Sequence, residues 1–223
     1  MPRVARMIIP GIPYHVLNRG NNKQVLFLSD EDKRFFFQIL LEAKLKYSCQ
    51  LYYYTLMKNH YHLMLNSNEK DTLSAMMKIV NERYACYFNK KHNRIGNIWQ
   101  GRFKSSPIQV EGYFLACGAY IETNCVRALL VNHPKEYQWS SYLFHAFGQK
   151  DILIDMDPWY ESLGNNQLER QKRYRKILMD YMSQKKEKTI REAINKGGIT
   201  GNNKFCQKIE KIRKSRLKKI LSF

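Results

Sequence analysis

Two histidines flank one tyrosine in "MKNHYHLML", residues 57 to 65. In an extended strand, residues i and i+2 point to the same face. His60 and His62 would then project side by side, with Tyr61 turned away. Two imidazoles so placed can share one divalent ion if a third ligand arrives from elsewhere. Without that ligand, packing or hydrogen bonding is the commoner role of such a pair. About sixty residues on, "GAYIETNCVRA" supplies candidates. On a helix, Tyr120 and Asn124 are four apart and share a face. Asn124 offers a carbonyl oxygen, a hard ligand that Mg²⁺ or Mn²⁺ accepts. Tyr120 offers a phenol one turn away. One ion between His60, His62 and Asn124, with Tyr120 beside it, is the arrangement these residue types could build. The chain has fifteen tyrosines, so a core role for Tyr120 is the plain alternative. Tyr113, two turns earlier on nearly the same face, is the competing nucleophile.

These groups need elements to position them. Residues 12–28 read as a strand, a turn at Gly20-Asn21-Asn22 and a short extended return. Ser29 offers an N-cap to a helix reaching about Tyr47. "CQLYYYTLM" and "HYHLMLNS" read as strands joined by a hairpin turn, with the histidines at one edge of the sheet. Leu73, Met76, Met77, Val80, Tyr84 and Tyr87 fall at helical spacing between Asp71 and His92. "NRIGNIWQGRF" is a glycine-marked loop and "KSSPIQV" a short strand. "EGYFLACGAYIETNCVRALLV" reads as one helix despite Gly118. The order β-α-β-β-α-β-α, with its hairpin, predicts an α+β fold with a mixed or antiparallel sheet and packed helices.

Near residue 148 the character changes. The expected division is a catalytic domain over 1–148 and a helical basic region over 149–223, a probable DNA-binding part. Gly197-Gly198 separates two helical stretches there. From Lys204 to Lys219 there are eight basic residues and one acidic, Glu210. Phe205, Ile209, Ile212 and Leu217 could anchor that run as an ordered helix that grips phosphates; a solvated face is the alternative.

Charge narrows the function classes. Lys plus Arg number 38 against 19 acidic residues, a formal charge of +19, with a pI near 9.7. A surface this positive attracts polyanions, nucleic acid above all. No apolar run approaches the roughly 18 residues of a membrane span. The basic N-terminus, broken by two prolines, does not read as a signal peptide. Five scattered cysteines without a C-x-x-C indicate neither a disulfide framework nor a cysteine zinc site. A cytoplasmic location is the expectation.

"YHVLNRGNN", "LMKNHYHLMLN", "YACYFNKKHNRIGNIWQGRFKS", "YIETNCVRA" and "YQWSSY", in this order over about residues 5 to 145, together resemble the single-tyrosine HUH transposases. The REP-associated tyrosine transposases are the branch they look most like. The resemblance implies a ferredoxin-like α+β domain that cuts and rejoins hairpin-containing single-stranded DNA through a 5′-phosphotyrosine. It implies His60 and His62 as metal ligands, Tyr120 as nucleophile and Asn124 as the polar ligand. It also implies Mg²⁺ or Mn²⁺ as cofactor and a monomer or homodimer. Cys125 stands where most relatives have proline, and Tyr61 where an aliphatic residue is common; neither removes a reacting group.

A free phenol, with a pKa near 10, is a poor nucleophile at neutral pH, so a group must accept its proton or favour the phenolate, and cationic surroundings would help; the sequence identifies no base. Aromatics stack unpaired bases and basic residues track the backbone. "IWQGRFKSS" mixes the two in Trp99, Arg102, Phe103 and Lys104. Arg19, Lys58 and Arg127 are further candidate DNA contacts. A binder of nucleic-acid hairpins without chemistry is the alternative reading; it has no need of His60, His62, Tyr120 and Asn124 together. A metal-dependent hydrolase releasing free ends is a third.

Overall fold

The computed structural model describes residues 8–183 and 187–221, with side-chain detail excluding 187, 188 and 217–221. The start of the N-terminus considered as a signal peptide, residues 1–7, lies outside the described residues. So do the side chains of Leu217, Lys218 and Lys219.

Strands β1 (Tyr14–Arg19), β2 (Gln50–Met57), β3 (His60–Asn66) and β4 (Lys104–Pro107) form one sheet in the order β2-β3-β1-β4. Every pairing is antiparallel. Helix α1 (Asp30–Lys46) connects β1 to β2, and α2 (Thr72–Lys91) connects β3 to β4. This is the split β-α-β arrangement of the ferredoxin-like fold, in which each helix returns the chain across a neighbouring strand. The expected α+β class stands, and the sheet is antiparallel rather than mixed. Ser29 starts α1 with a capping box: its side chain accepts from the Asp32 amide while Asp32 accepts from the Ser29 amide.

Alternation sorts the strand residues. Tyr14 and Val16 of β1 and Tyr61, Leu63 and Leu65 of β3 bury against α1 and α2 in one apolar core. The opposite face carries His15, Leu17 and Arg19 opposite Met64, His62 and His60 in register. Helix α3 (Val110–Glu122) packs there. Gly118 permits the approach, since a Cβ on it would stand 2.6 Å from the Tyr53 ring.

Short helices α4 (Asn124–Arg127), α5 (Tyr142–Phe147) and α6 (Pro158–Glu161) follow, then α7 (Gln167–Ser183), α8 (Glu187–Lys196) and α9 (Asn203–Leu221). Helix α7 packs on α3 and α5, and α8 packs on β1, β4 and α3. Between α8 and α9, Thr200 exchanges backbone hydrogen bonds with Pro107 and Gln109 at the sheet edge. Ile209 of α9 is buried, and Arg216 donates to the Ile8 carbonyl at 3.1 Å.

Three local expectations are corrected. The extended return after β1 is a 3-10 turn, Asn21–Lys23, followed by irregular chain. The helix expected through residue 131 ends at Glu122, where Thr123 (φ −86°, ψ 1°) leaves the helical path before α4. The histidines stand on β3, an interior strand, and not at an edge.

Candidate active site

A cavity of about 220 Å³ opens over the polar face of the sheet. Its walls include His60 and His62 of β3, Leu17 and Arg19 of β1, and Tyr120 of α3. Asn124 and Arg127 of α4 and Arg191 and Asn195 of α8 also line it. The sequence-derived quartet His60, His62, Tyr120 and Asn124 is thus brought to one place. Tyr113 does not line this cavity; it packs against a separate apolar cluster that includes Tyr52, Phe114 and Tyr174, beyond the left-handed Gly112 at the start of α3.

The imidazoles of His60 and His62 lie 5.1 Å apart between ring centroids, crossed at 80°. The Tyr120 ring is 5.9 Å from His62, edge-on. Each histidine is held through Nδ1. His60 Nδ1 lies 2.6 Å from Asn59 Oδ1, and His62 Nδ1 lies 2.7 Å from His15 Nε2. Nδ1 is therefore occupied in both rings, and Nε2 is the nitrogen left to take a ligand. A neighbour that fixes the tautomer and orientation of a ligating imidazole is a regular feature of metal sites.

Burial lowers the pKa of all three histidines. His60 falls to about 4, with Arg19 adding to the effect. His15 falls to about 3, with Arg127 adding. His62 is pushed well down by burial, then by His15, His60, Arg127 and Arg19. At neutral pH the rings are uncharged, and a lone pair on Nε2 is what a cation requires.

Among the described residues, no group of three or more His, Cys, Asp or Glu is arranged to hold a metal ion. A cation here would need a third donor of another kind. Asn124 fits. Its Nδ2 donates to the carbonyls of Tyr120 at 3.1 Å and Ile121 at 3.2 Å. The amide nitrogen is thereby committed to the end of α3, so Oδ1 is the ligand atom the side chain can offer. The break at Thr123 makes this possible, because it turns Asn124 back over the last turn of α3.

Arg127 packs on the tyrosine. Its guanidinium sits 4.1 Å over the Tyr120 ring centroid. It also donates to the Tyr120 carbonyl at 2.5 Å and to Thr123 Oγ1 at 2.8 Å.

The end of α3 is anchored from behind. Glu122 is fully buried. It accepts from Ser141 Oγ at 2.6 Å and Tyr174 Oη at 2.6 Å, and lies 2.7 Å from His145 Nδ1. The helix carrying Tyr120 is thus tied to α5 and α7.

The other candidate DNA contacts separate. Arg19 lines the cavity that holds the quartet. Arg19, Arg102, Lys104 and Asn195 also line an adjoining cavity of about 200 Å³. Lys104 Nζ donates to the Asn195 carbonyl at 2.7 Å. Lys58 is exposed on the β2–β3 turn and lines neither. Trp99 is not an open stacking platform. It is 6% exposed, packed against Tyr61 and Tyr84, and its Nε1 donates to the Asn81 carbonyl at 2.9 Å.

Three site residues escaped the sequence reading. His15 had a signal: with Arg19 it falls at period-two spacing in a strand. Arg191 and Asn195 are four apart on α8, a spacing common to any helix.

The family described as IS200-like transposase matches residues 9–124, more than half of the chain. The chain belongs to the IS200-like transposase family. The match contains β1 through Asn124, hence every cavity-lining residue named above except Arg127 and the pair on α8. Membership gives this IS200-like chain a transposase role in its coarse outline. A solved structure of a REP-associated tyrosine transposase bound to a REP hairpin matches with a TM-score of 0.57 at 18% identity. That match covers 70% of this chain and 93% of the other, and it shows the shared fold. A candidate transposase from Deinococcus radiodurans matches with a TM-score of 0.38 at 16% identity, over 52% and 91%. No curated protein matches.

Proposed function

We propose that this chain is a metal-dependent single-strand DNA endonuclease and transposase of the REP-associated type. On this reading it cleaves and rejoins hairpin-containing DNA through a 5′-phosphotyrosine. The observation that carries the reading is convergence: His60, His62, Tyr120 and Asn124, from three elements, line one cavity.

His60 and His62 would hold a divalent cation through Nε2, with Asn124 Oδ1 as third donor. When bound, Mg²⁺ or Mn²⁺ withdraws charge from the scissile phosphate and fixes its orientation. Imidazole suits Mn²⁺ better than Mg²⁺, so Mn²⁺ substitutes well. Tyr120 Oη attacks phosphorus and the bond to O3′ breaks. The 5′-phosphate stays on the tyrosine. In net balance the phenolic proton is taken up by the departing 3′-oxygen. Arg127 lowers the cost of the phenolate, and Arg19 and Arg191 hold phosphate charge. The phosphotyrosine conserves the energy of the broken bond, so attack by another 3′-hydroxyl restores the phenol and joins strands without ATP.

Single-stranded or hairpin DNA is the proposed substrate. Three observations support it: the charge of +19, the basic cavity beside the site, and the hairpin bound by the relative of the same fold. Residues 1–148 would hold the chemistry and the helical region after 148 would grip DNA, in a monomer or homodimer. The proposed site of action is the cytoplasm; no helix among the described residues is long and apolar enough to cross a membrane.

Incubation of Tyr120→Phe protein with labelled hairpin DNA and Mn²⁺ tests the assignment. The wild type should form a covalent protein–DNA adduct that the variant lacks. An adduct on the variant would transfer the role to Tyr113. Cleavage by the wild type without any adduct would establish a hydrolase instead.

A further inference from the structure

The catalytic cavity does not stand alone. It shares Leu17, Arg19 and Asn195 with the basic cavity beside it. That cavity in turn shares Asn18, Gly101 and Arg102 with a third, between α2 and the loop before β4. The third is the largest of the three, about 620 Å³, within the range of small-ligand sites. Its character differs. Trp99, Phe103, Ala75 and Gly101 give it a predominantly apolar lining. Asn18, Ser74 and Asn81 add amide and hydroxyl groups, and Lys78, Arg102, Asp71 and Glu82 add charges of both signs.

We propose that this third cavity takes one unpaired nucleobase of the DNA strand whose phosphate occupies the catalytic cavity, and so selects where the strand is cut. The inference rests on the transposase reading above and adds a specificity site to it. A single strand leaving the scissile phosphate has a basic path of Arg19, Lys104 and Arg102, suited to its backbone. The path ends at a cavity whose lining suits a planar, weakly polar ring. Bases held outside a stack are bound by such a combination: apolar or aromatic walls for the ring faces, amides and hydroxyls for the edges.

The polar groups are prepared for this. Asn81 is fixed by Tyr61 Oη, which donates to its Oδ1 at 2.9 Å, and by its own Nδ2, which donates to the Met77 carbonyl at 2.7 Å. Asn18 Nδ2 donates to the same Oδ1 at 3.4 Å. The buried Ser74 hydroxyl has no hydrogen-bond partner; a base edge would supply one. Trp99 and Phe103 are mostly buried, which makes them fixed walls rather than mobile platforms. Asp71 and Glu82 are balanced by Lys78 and Arg102, and Lys78 lies 4.0 Å from Glu82, so the lining has no net charge to draw a phosphate in.

The test uses binding, so it does not depend on catalysis. Tyr120→Phe protein would be titrated with labelled hairpins bearing single-stranded arms of mixed sequence. An abasic unit would replace each arm position in turn. One position should lose about ten-fold in affinity, and arms randomised there should show preference for one base. Ala75→Leu fills the cavity from α2, and Gly101→Leu fills it from the loop, where an added Cβ meets open space. Each should bind the intact hairpin only as tightly as wild type binds the abasic one, with no further loss to the abasic unit. Uniform affinity across all abasic positions would overturn the proposal. An undiminished abasic penalty in both filled variants would also overturn it. Adduct formation by wild type with no abasic penalty would remove the base site and leave the transposase reading standing. An abasic penalty without any adduct would do the reverse.

Discussion

On one face of the sheet, Tyr61 packs its ring against Phe36 at 5.1 Å, and Leu63 and Leu65 disappear into a core shared with α1 and α2. On the other face of the same strand, His60 and His62 look into a cavity, and His62 is hydrogen-bonded to a third buried histidine. Adjacent residues therefore answer to different demands. The first face removes apolar area from water and contributes stability. The second buries the His15 and His62 imidazoles and the Glu122 carboxylate behind them, with Arg19 and Arg127 half-buried beside them. Each such group costs free energy unless its partners are in place. Strand alternation lets a single seven-residue segment serve both, because a change on one face leaves the other in register.

Neighbouring residues of β3 test whether the two faces are separable. His62→Ala should take adduct formation to background while the protein still melts cooperatively. Leu63→Ala, one residue away, should cost about 2–5 kcal/mol of stability through the cavity it leaves. Its activity per folded molecule should stay near that of wild type. Thermal melts beside a single-turnover cleavage assay read both quantities. Equal loss of activity per folded molecule in the two variants would show that the faces are not separable.

His15 sharpens the contrast within the polar face. His15→Phe keeps the ring volume but removes the partner of His62 Nδ1. The expected loss is about 10–100-fold in Mn²⁺ affinity, the usual effect of removing a group that orients a metal-ligating histidine. Isothermal titration with Mn²⁺ measures it. Unchanged affinity would mean that His15 is packing alone.

How far the sequence carried this division can be seen residue by residue. The strand and helix order was legible because Leu63, Leu65, Met76, Met77 and Val80 repeat at the periods their elements impose. The quartet His60, His62, Tyr120 and Asn124 was legible from residue type and spacing, aided by the family resemblance. His15 was not identified, because its value depends on β1 lying beside β3, a pairing that no local pattern states. For Trp99 the sequence left open a base-stacking side chain or a loop tucked onto the core, for a related reason. A tryptophan in a glycine-marked loop reads as available, yet its indole finds Tyr61, Tyr84 and the Asn81 carbonyl in the fold. The break after Glu122 was hidden because Thr123 and Asn124 do not forbid a helix. The turn there is fixed by Arg127 and Asn124 bonding back to the Tyr120 carbonyl.

Gly118→Ala tests how closely α3 must approach the polar face. The added methyl would stand 2.6 to 2.8 Å from Tyr53 ring atoms, so ring or helix must shift. The cost should be about 1–3 kcal/mol, typical of an overpacked site. Cleavage should fall further than stability accounts for, because the same helix carries Tyr120. A melt lowered by that amount with full activity per folded molecule would show that the tyrosine tolerates displacement of its helix.

The smallest expected effect concerns α8, which reaches the cavity from outside the family-matched segment. Arg191 is exposed and lines the histidine–tyrosine cavity with Asn195 from the same face of its helix. Its charge can bind the incoming phosphate, but an exposed cation in water contributes little, roughly 0–1 kcal/mol. Arg191→Ala should therefore weaken binding of a hairpin substrate by a few-fold at low salt, with the difference shrinking as salt rises. The rate at saturating DNA should change little, since the tyrosine and the histidines remain held by β3 and α3. If Arg191→Ala instead raises the cleavage rate, α8 acts as a cover that DNA must displace. The polar face would then be regulated by the helices after residue 148 as well as assembled by those before it.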